Sequence, residues 1–161
     1  MIARYREVRL MKRVTGIEFK PGINEEKLPD VASDFPYIAS YADLNHYAGH
    51  GVPWHWHSAV ELFYVVSGTV EYTTPKGLAV FAEGTGGLVN SGVLHMTKSQ
   101  SVDDKCVQFL HIFEPDFIAG QRGSRIDKKY VAPILNDHSL EVIPILPDSP
   151  DRCELLDKLR L

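Results

Sequence analysis

Gly49-His50-Gly51-Val52-Pro53-Trp54-His55-Trp56-His57-Ser58-Ala59-Val60-Glu61, continued by Leu62-Phe63-Tyr64-Val65-Val66-Ser67 and closed by Gly68, is the stretch on which the fold turns. Residues two apart on an extended strand point to the same face, roughly 6.5 to 7 Å from each other. His55 and His57 therefore reach toward one point, while Trp54 and Trp56 face the other way. Glu61 opens the next strand after a short bend at Ser58-Ala59. Two imidazoles beside one carboxylate make a donor set that suits Fe, Mn, Ni, Co or Zn better than Mg or Ca. Four of the seven histidines of the chain fall between His46 and His57.

A second stretch, Gly84-Thr85-Gly86-Gly87-Leu88-Val89-Asn90-Ser91-Gly92-Val93-Leu94-His95, ends in another histidine just after a glycine turn. On a closed barrel His95 completes a four-ligand set with His55, His57 and Glu61, leaving coordination positions for water or a small molecule. The competing reading is a polar cavity lined by the same side chains, held by hydrogen bonds without a metal.

From residue 35 onward the texture supports such a barrel. Short runs rich in Tyr, Val, Phe and Thr alternate with Gly, Pro, Asn or Ser every 8 to 12 residues, the pattern of an antiparallel sandwich or barrel. The expected strands are 37–47, 52–57, 60–66, 69–73, 78–81, 85–89, 93–98 and 105–113, and eight is the jelly-roll number. Ser67-Gly68, Pro75-Lys76-Gly77 and Asn90-Ser91-Gly92 supply the turns.

The flanks read differently. Residues 1–34 form an irregular arm, in which 4–14 fits an amphipathic helix or an edge strand and Pro21-Gly22 and Pro29-Asp30 interrupt. Beyond Pro115 the pattern becomes helical: Ser124 caps a helix over 125–135 that Pro133 ends or bends, and Asp148-Ser149-Pro150 starts another. That last helix carries Leu155, Leu156 and Leu159 as a stripe, which is either core or a dimer seam, and it is still running at Leu161.

Composition bounds the function. The 161 residues, 44% apolar and 24% charged, suit one domain, and 17 basic against 21 acidic residues give a net charge of -4. That is not the footprint of a nucleic-acid binder, so a DNA role is expected outside this stretch. No window approaches the roughly 18 apolar residues of a membrane span, and Met1 to Arg6 leads into charge rather than a signal-peptide run. Cys106 and Cys153 stand far apart, as reduced, partly buried thiols would. The expected location is the cytoplasm.

The first stretch resembles the cupin motif G-x5-H-x-H-x3-E-x6-G at each fixed position, Gly49, His55, His57, Glu61 and Gly68. The second resembles the partner motif G-x5-P-x-G-x2-H-x3-N through Gly84, Gly92 and His95, with Asn90 in place of Pro and Ser99 in place of Asn. The resemblance implies a cupin double-stranded β-helix barrel over 35–113, with His55, His57, Glu61 and His95 as ligands of one divalent transition metal (Zn, Fe, Mn or Ni). A narrower resemblance is to the amino-terminal domain of AraC-type transcription regulators. It rests on Phe35-Pro36-Tyr37-Ile38, the Trp54-His55-Trp56-His57 box with Glu61 to Val65, and Asn90 to His95. It continues through Phe113-Glu114-Pro115, the run from Lys129 to Leu135, and Ile145-Leu146-Pro147. It implies a barrel that binds a small-molecule effector, helices over 114–161 that mediate homodimerisation, and a separate carboxy-terminal DNA-binding domain, absent from this chain.

Two functions follow as expectations. In the first, the chain is an effector-sensing and dimerisation domain, with His55, His57, Glu61 and His95 holding the effector directly or through a metal. His111 belongs to the same pocket if its strand face points inward; otherwise it is a hydrogen-bonded structural histidine. In the second, the chain is a stand-alone metal-dependent cupin enzyme, a dioxygenase or isomerase, with the same four residues around the ion. His46, His50 and His138 are expected at solvated turns.

Overall fold

The computed structural model describes residues 12–28, 35–101, 103 and 105–160. Most of the 4–14 reading and the Pro29-Asp30 turn lie outside these residues. Two sheets face each other. The larger has strand order β1-β2-β9-β4-β7-β10 and the smaller β3-β8-β5-β6. The strands are β1 (Lys12–Val14), β2 (Tyr37–Asp43), β3 (Gly51–His55), β4 (Val60–Ser67), β5 (Thr69–Thr74), β6 (Gly77–Ala82), β7 (Gly86–Val89), β8 (His95–Ser99), β9 (Val107–Phe113) and β10 (Val142–Ile145).

The eight strands β2 to β9 are the expected eight, and they make the jelly roll of a cupin barrel. Two more come from the flanks. β1 pairs parallel to β2, and β10 pairs antiparallel to β7, so both ends of the larger sheet are extended by segments read from sequence as arm and helical tail. Covering a sheet edge removes a row of unpaired backbone groups.

Boundaries moved for local reasons. β2 stops at Asp43 because its side chain accepts the Asn45 N–H and caps a 3-10 turn over Leu44–His46. β3 stops at His55 and loses register against β8 between Val52 and His55, around Pro53, which has no N–H for the ladder. His57 therefore lies past the strand end.

Alternation along β4 and β9 sets the layers. Phe63 and Val65 point between the sheets into a core with Val70, Tyr72, Phe81 and Val89. Phe63 stacks on Tyr72 with centroids 4.2 Å apart, and Phe81 meets Phe63 edge-on at 4.8 Å. Tyr64 and Phe109 point to the opposite face, where Ile145, Leu156 and Leu159 cover them. Gly68 joins β4 to β5 at φ +78°, and a Cβ there would stand 2.7 Å from the Lys105 carbonyl oxygen, so a side chain is excluded by backbone and space together.

The tail contains α1 (Asp116–Ala119), a helical stretch over 125–135 that ends in α2 (Ala132–Leu135), and α3 (Pro150–Leu159). Ser124 Oγ accepts the Asp127 N–H, and Ser149 Oγ accepts the Arg152 N–H, the two expected caps. Pro133 does not end its helix. The preceding turn widens into a π-helix over Asp127–Val131 instead, which relieves the clash a proline imposes on the turn before it. In α3, Leu156 and Leu159 are buried and Leu155 is exposed. Cys106 is buried, Cys153 is exposed, and both thiols are free. No helix among the described residues is long and apolar enough to cross a membrane.

Candidate metal and effector site

His55 and His95 are directly cross-strand on β3 and β8, which brings their ring centroids to 4.1 Å. His57 arrives from beyond the end of β3, with centroids 6.0 Å from His55 and 5.4 Å from His95. Its turn is fixed from outside, since the Gly92 N–H donates to the His57 carbonyl at 2.9 Å. All three rings are buried, and one nitrogen from each lies within 4.8 Å of the others. Among the described residues this trio is the one cluster of His, Cys, Asp or Glu with that convergence.

Local chemistry orients the rings. Nδ1 of His55, His57 and His95 lies 2.8 to 2.9 Å from the carbonyl oxygens of Pro53, Ala59 and Val93. A carbonyl only accepts, so each Nδ1 carries a proton and each ring, when neutral, presents the Nε2 lone pair. The Nε2 atoms of His57 and His95 are buried without a hydrogen-bond partner. Orphaned buried nitrogens on ligands whose other nitrogen is anchored to backbone form the outer-shell pattern of a metal site. The residues present therefore fit a divalent transition metal.

Glu61 faces inward on β4 and does not join the trio at equal range. Its Oε2 lies 3.6 Å from His57 Nε2, while Oε1 accepts the Tyr72 hydroxyl at 2.9 Å. That hydroxyl is also 3.0 Å from the Gln108 side-chain oxygen; its single proton serves the carboxylate, the stronger acceptor. Burial alone would push the Glu61 carboxyl up, but His57, His95 and His55 outweigh it and hold it as an anion below the ordinary range. Burial likewise opposes charge on His57, and Glu61 with Glu26 overcomes it, so His57 is raised. His55, with burial first and His95 second, is lowered to about 3. His95 is lowered chiefly by burial.

A cavity of about 460 Å³ opens beside this cluster. Ser40, Tyr47, Thr97 and Gln108 give it polar groups near His55 and Glu61, and Ile17, Leu28, Ile38, Val52, Leu110 and Ile112 give it apolar walls. His111 is not brought there. Gln108, Leu110 and Ile112 take the inner face of β9, so period-two alternation puts His111 outside, 2.7 Å from the Tyr37 hydroxyl and 2.6 Å from the Leu159 carbonyl oxygen. Both ring nitrogens are used: the carbonyl requires Nε2–H, and Nδ1 accepts from Tyr37. Trp54 and Trp56 are half-buried; His46 and His138 are exposed, and His50 is half-buried at φ +58°.

Three participants were not among the sequence candidates. Tyr72 and Gln108 have a sequence signal, since both occupy inward positions on amphipathic strands. Glu26 has none. It comes from the arm, where its Oε2 lies 3.8 Å from His55 Nε2 with the side chain 9% exposed. Burial, against the pull of His57 and with repulsion from Glu61, raises its carboxyl to about 7.

Fold and site together define a cupin-type barrel whose cavity is lined in part by His55 and Glu61. The chain belongs to the AraC-like ligand binding domain family, whose model matches residues 37–159. Asn90, which departs from the cupin partner motif, has its own task here: its Nδ2 donates to the Ile134 and Leu140 carbonyls at 2.8 and 3.1 Å, and its N–H to the Glu141 carbonyl. No curated protein sequence matches the chain. Similar solved structures include a cupin-2 domain containing protein from Shewanella frigidimarina, at 19% identity and TM-score 0.40 over 52% of this chain and 76% of that one. ToxT from Vibrio cholerae, bound to unsaturated fatty acid, is similar at 11% identity and TM-score 0.43 over 55% of this chain and 33% of that one. The bacterial pirin YhhW from Escherichia coli, in complex with nickel(II), is similar at 16% identity and TM-score 0.44, over 58% and 43%. This chain thus spans a third of ToxT and under half of YhhW.

Proposed function

We propose that this chain is the effector-sensing and dimerisation part of an AraC-type transcription regulator. The observation that carries the reading is the roughly 460 Å³ cavity, lined by apolar side chains such as Leu110 and Ile112 together with His55, Glu61 and Gln108, inside a barrel of the AraC-like ligand binding family. A small molecule enters with its apolar part against Leu110 and Ile112 and its polar group toward His55, His57, Glu61 and His95, directly or through a Zn, Fe, Mn or Ni ion. The ion, when bound, supplies a Lewis-acidic docking point for an oxygen donor on that molecule. Binding shifts the packing of the carboxy-terminal helices only if the effector has different affinity for the two arrangements. DNA contact is assigned to a separate carboxy-terminal domain, because a net charge of -4 does not suit a phosphate backbone; the homodimer and a cytoplasmic location belong to the same reading.

A thermal-shift screen of small molecules on the 161-residue chain tests it. A ligand at 100 times its Kd adds about 2.7 kcal/mol of stability, which raises Tm by about 5 to 10 °C. Leu110→Trp, which fills the cavity, should abolish that shift with the fold intact by circular dichroism. A stabilising ligand indifferent to Leu110→Trp would sink the assignment of the cavity.

The convergence of three imidazoles favours a second reading, a metal-dependent cupin enzyme. Elemental analysis of protein purified without chelator separates the two: a stoichiometric redox-active metal, lost in His57→Ala, favours the enzyme, and metal-free dimers on sizing favour the sensor.

A further inference from the structure

The arm reaches the site through backbone pairing. Phe19 and Glu26 form an antiparallel bridge, with Lys27 N–H donating to the Glu18 carbonyl at 2.7 Å and Lys20 N–H to the Glu25 carbonyl at 2.8 Å. This small hairpin docks on Trp56, the residue between the two motif histidines. The Glu26 N–H donates to the Trp56 carbonyl at 2.9 Å, and the Trp56 N–H donates to the Asn24 carbonyl at 3.0 Å. β3 is an edge strand of the smaller sheet, so the chain continuing from it has a free side for the hairpin to take.

Docking puts one arm carboxylate inside. The Glu26 side chain is 9% exposed, whereas those of Lys27 and Glu18 are 65% and 80% exposed. Its Oε2 is 3.8 Å from His55 Nε2, and it lines the same cavity as His55 and Glu61. Donors adjacent on one ion with bonds of about 2.1 Å lie about 3.0 to 3.4 Å apart. Glu26 stands just beyond that from His55 and outside the 4.8 Å convergence of the three imidazoles, so closing the site takes a movement of its side chain toward them. Charge points the same way: two carboxylates, Glu26 and Glu61, balance one divalent ion among neutral imidazoles, and buried charge is tolerated when it is paired.

Resting on the reading of His55, His57 and His95 as metal ligands, we propose that Glu26 is the arm-borne carboxylate that closes this metal site, so that metal occupancy and arm docking are one coupled equilibrium. The arm is then the element that registers the loaded site.

The test combines metal binding with proteolysis of the 161-residue chain. Cobalt(II) is titrated by visible absorption, and trypsin cleavage after Lys27 is timed with and without cobalt, since cleavage there requires the hairpin to open. Wild type should bind, and cobalt should slow cleavage at least tenfold. Glu26→Gln, folded by circular dichroism, should bind on the order of 10 to 100 times more weakly, and cobalt should no longer slow its cleavage. Glu26→Asp, which keeps the charge but shortens the reach, should fall between and carries the same test if Glu26→Gln does not fold. Wild-type affinity and protection in the folded variants would overturn the role of Glu26 while leaving the three-histidine site standing. A wild type that binds no more cobalt than His57→Ala removes the metal reading itself, and this proposal with it.

Discussion

At the residue scale the site is built by short local hydrogen bonds. Each histidine gives its Nδ1–H to a carbonyl two residues away, so the ring's direction is set by its own turn. Removing one ring takes away one of the three converging nitrogens and leaves the ion to two imidazoles and carboxylates that stand farther off. His95→Ala and His57→Ala are therefore expected to lose metal uptake by at least a hundredfold, measured by elemental analysis after dialysis. Tyr72 plays a supporting part. Its hydroxyl, kept protonated by burial and by Glu61 beside it, is the donor that holds Oε1 of a fully enclosed carboxylate. Tyr72→Phe should cost about 1 to 3 kcal/mol in urea unfolding of the metal-free chain, and unchanged stability would show that Glu61 is satisfied some other way. The donors His55, His57 and Glu61 were legible from spacing alone; Tyr72 shows its inward position by alternation, but that position reads as ordinary core and does not reveal the bond to Glu61.

Elements carry the next layer of meaning. β9 shows two faces: Gln108, Leu110 and Ile112 line the cavity, while Phe109 and His111 hold α3 through Leu156, Leu159 and the Leu159 carbonyl. One strand therefore touches both the ligand space and the carboxy-terminal helix. His111→Ala removes the bond to the end of α3 and should lower hydrogen-exchange protection of its last turn about tenfold, with little change in cobalt affinity. The β7–β8 turn works similarly. Asn90 ties it to α2 and the segment after it, and Asn90→Ala removes the side-chain donor to the Ile134 and Leu140 carbonyls. A loss of about 1 to 3 kcal/mol is expected, read as a lower urea midpoint. The departure from the cupin Pro was visible in sequence, but its purpose was not, because its partners lie 44 and 50 residues away.

For the whole molecule, the arm and tail are parts of the barrel's stability rather than appendages. β1 and β10 finish the larger sheet, and α3 seals its outer face. The leucine stripe divides accordingly: Leu156→Ala should cost about 2 to 5 kcal/mol, whereas Leu155→Ala, at an exposed position, should stay within about 0.5 kcal/mol by the same melt. A dimer that uses this helix has Leu155 available and not Leu156 or Leu159. Comparable losses for the two substitutions would mean that a partner already covers Leu155 in solution.

The eight-strand barrel and the histidine cluster were readable in sequence because they depend on periodicity two, turn residues and spacing, all local properties of the chain. Tertiary structure decided the rest. His111 faces outward because of the phase of alternation in β9, which a lone histidine does not reveal. The strand Val142–Ile145 forms because β7 offers it an edge. Glu26 joins the site because a hairpin from the arm pairs with Trp56, 30 residues further along the chain. Local pattern specifies which residues share a face, whereas long-range pairing decides which faces meet, and no short window of sequence contains that information.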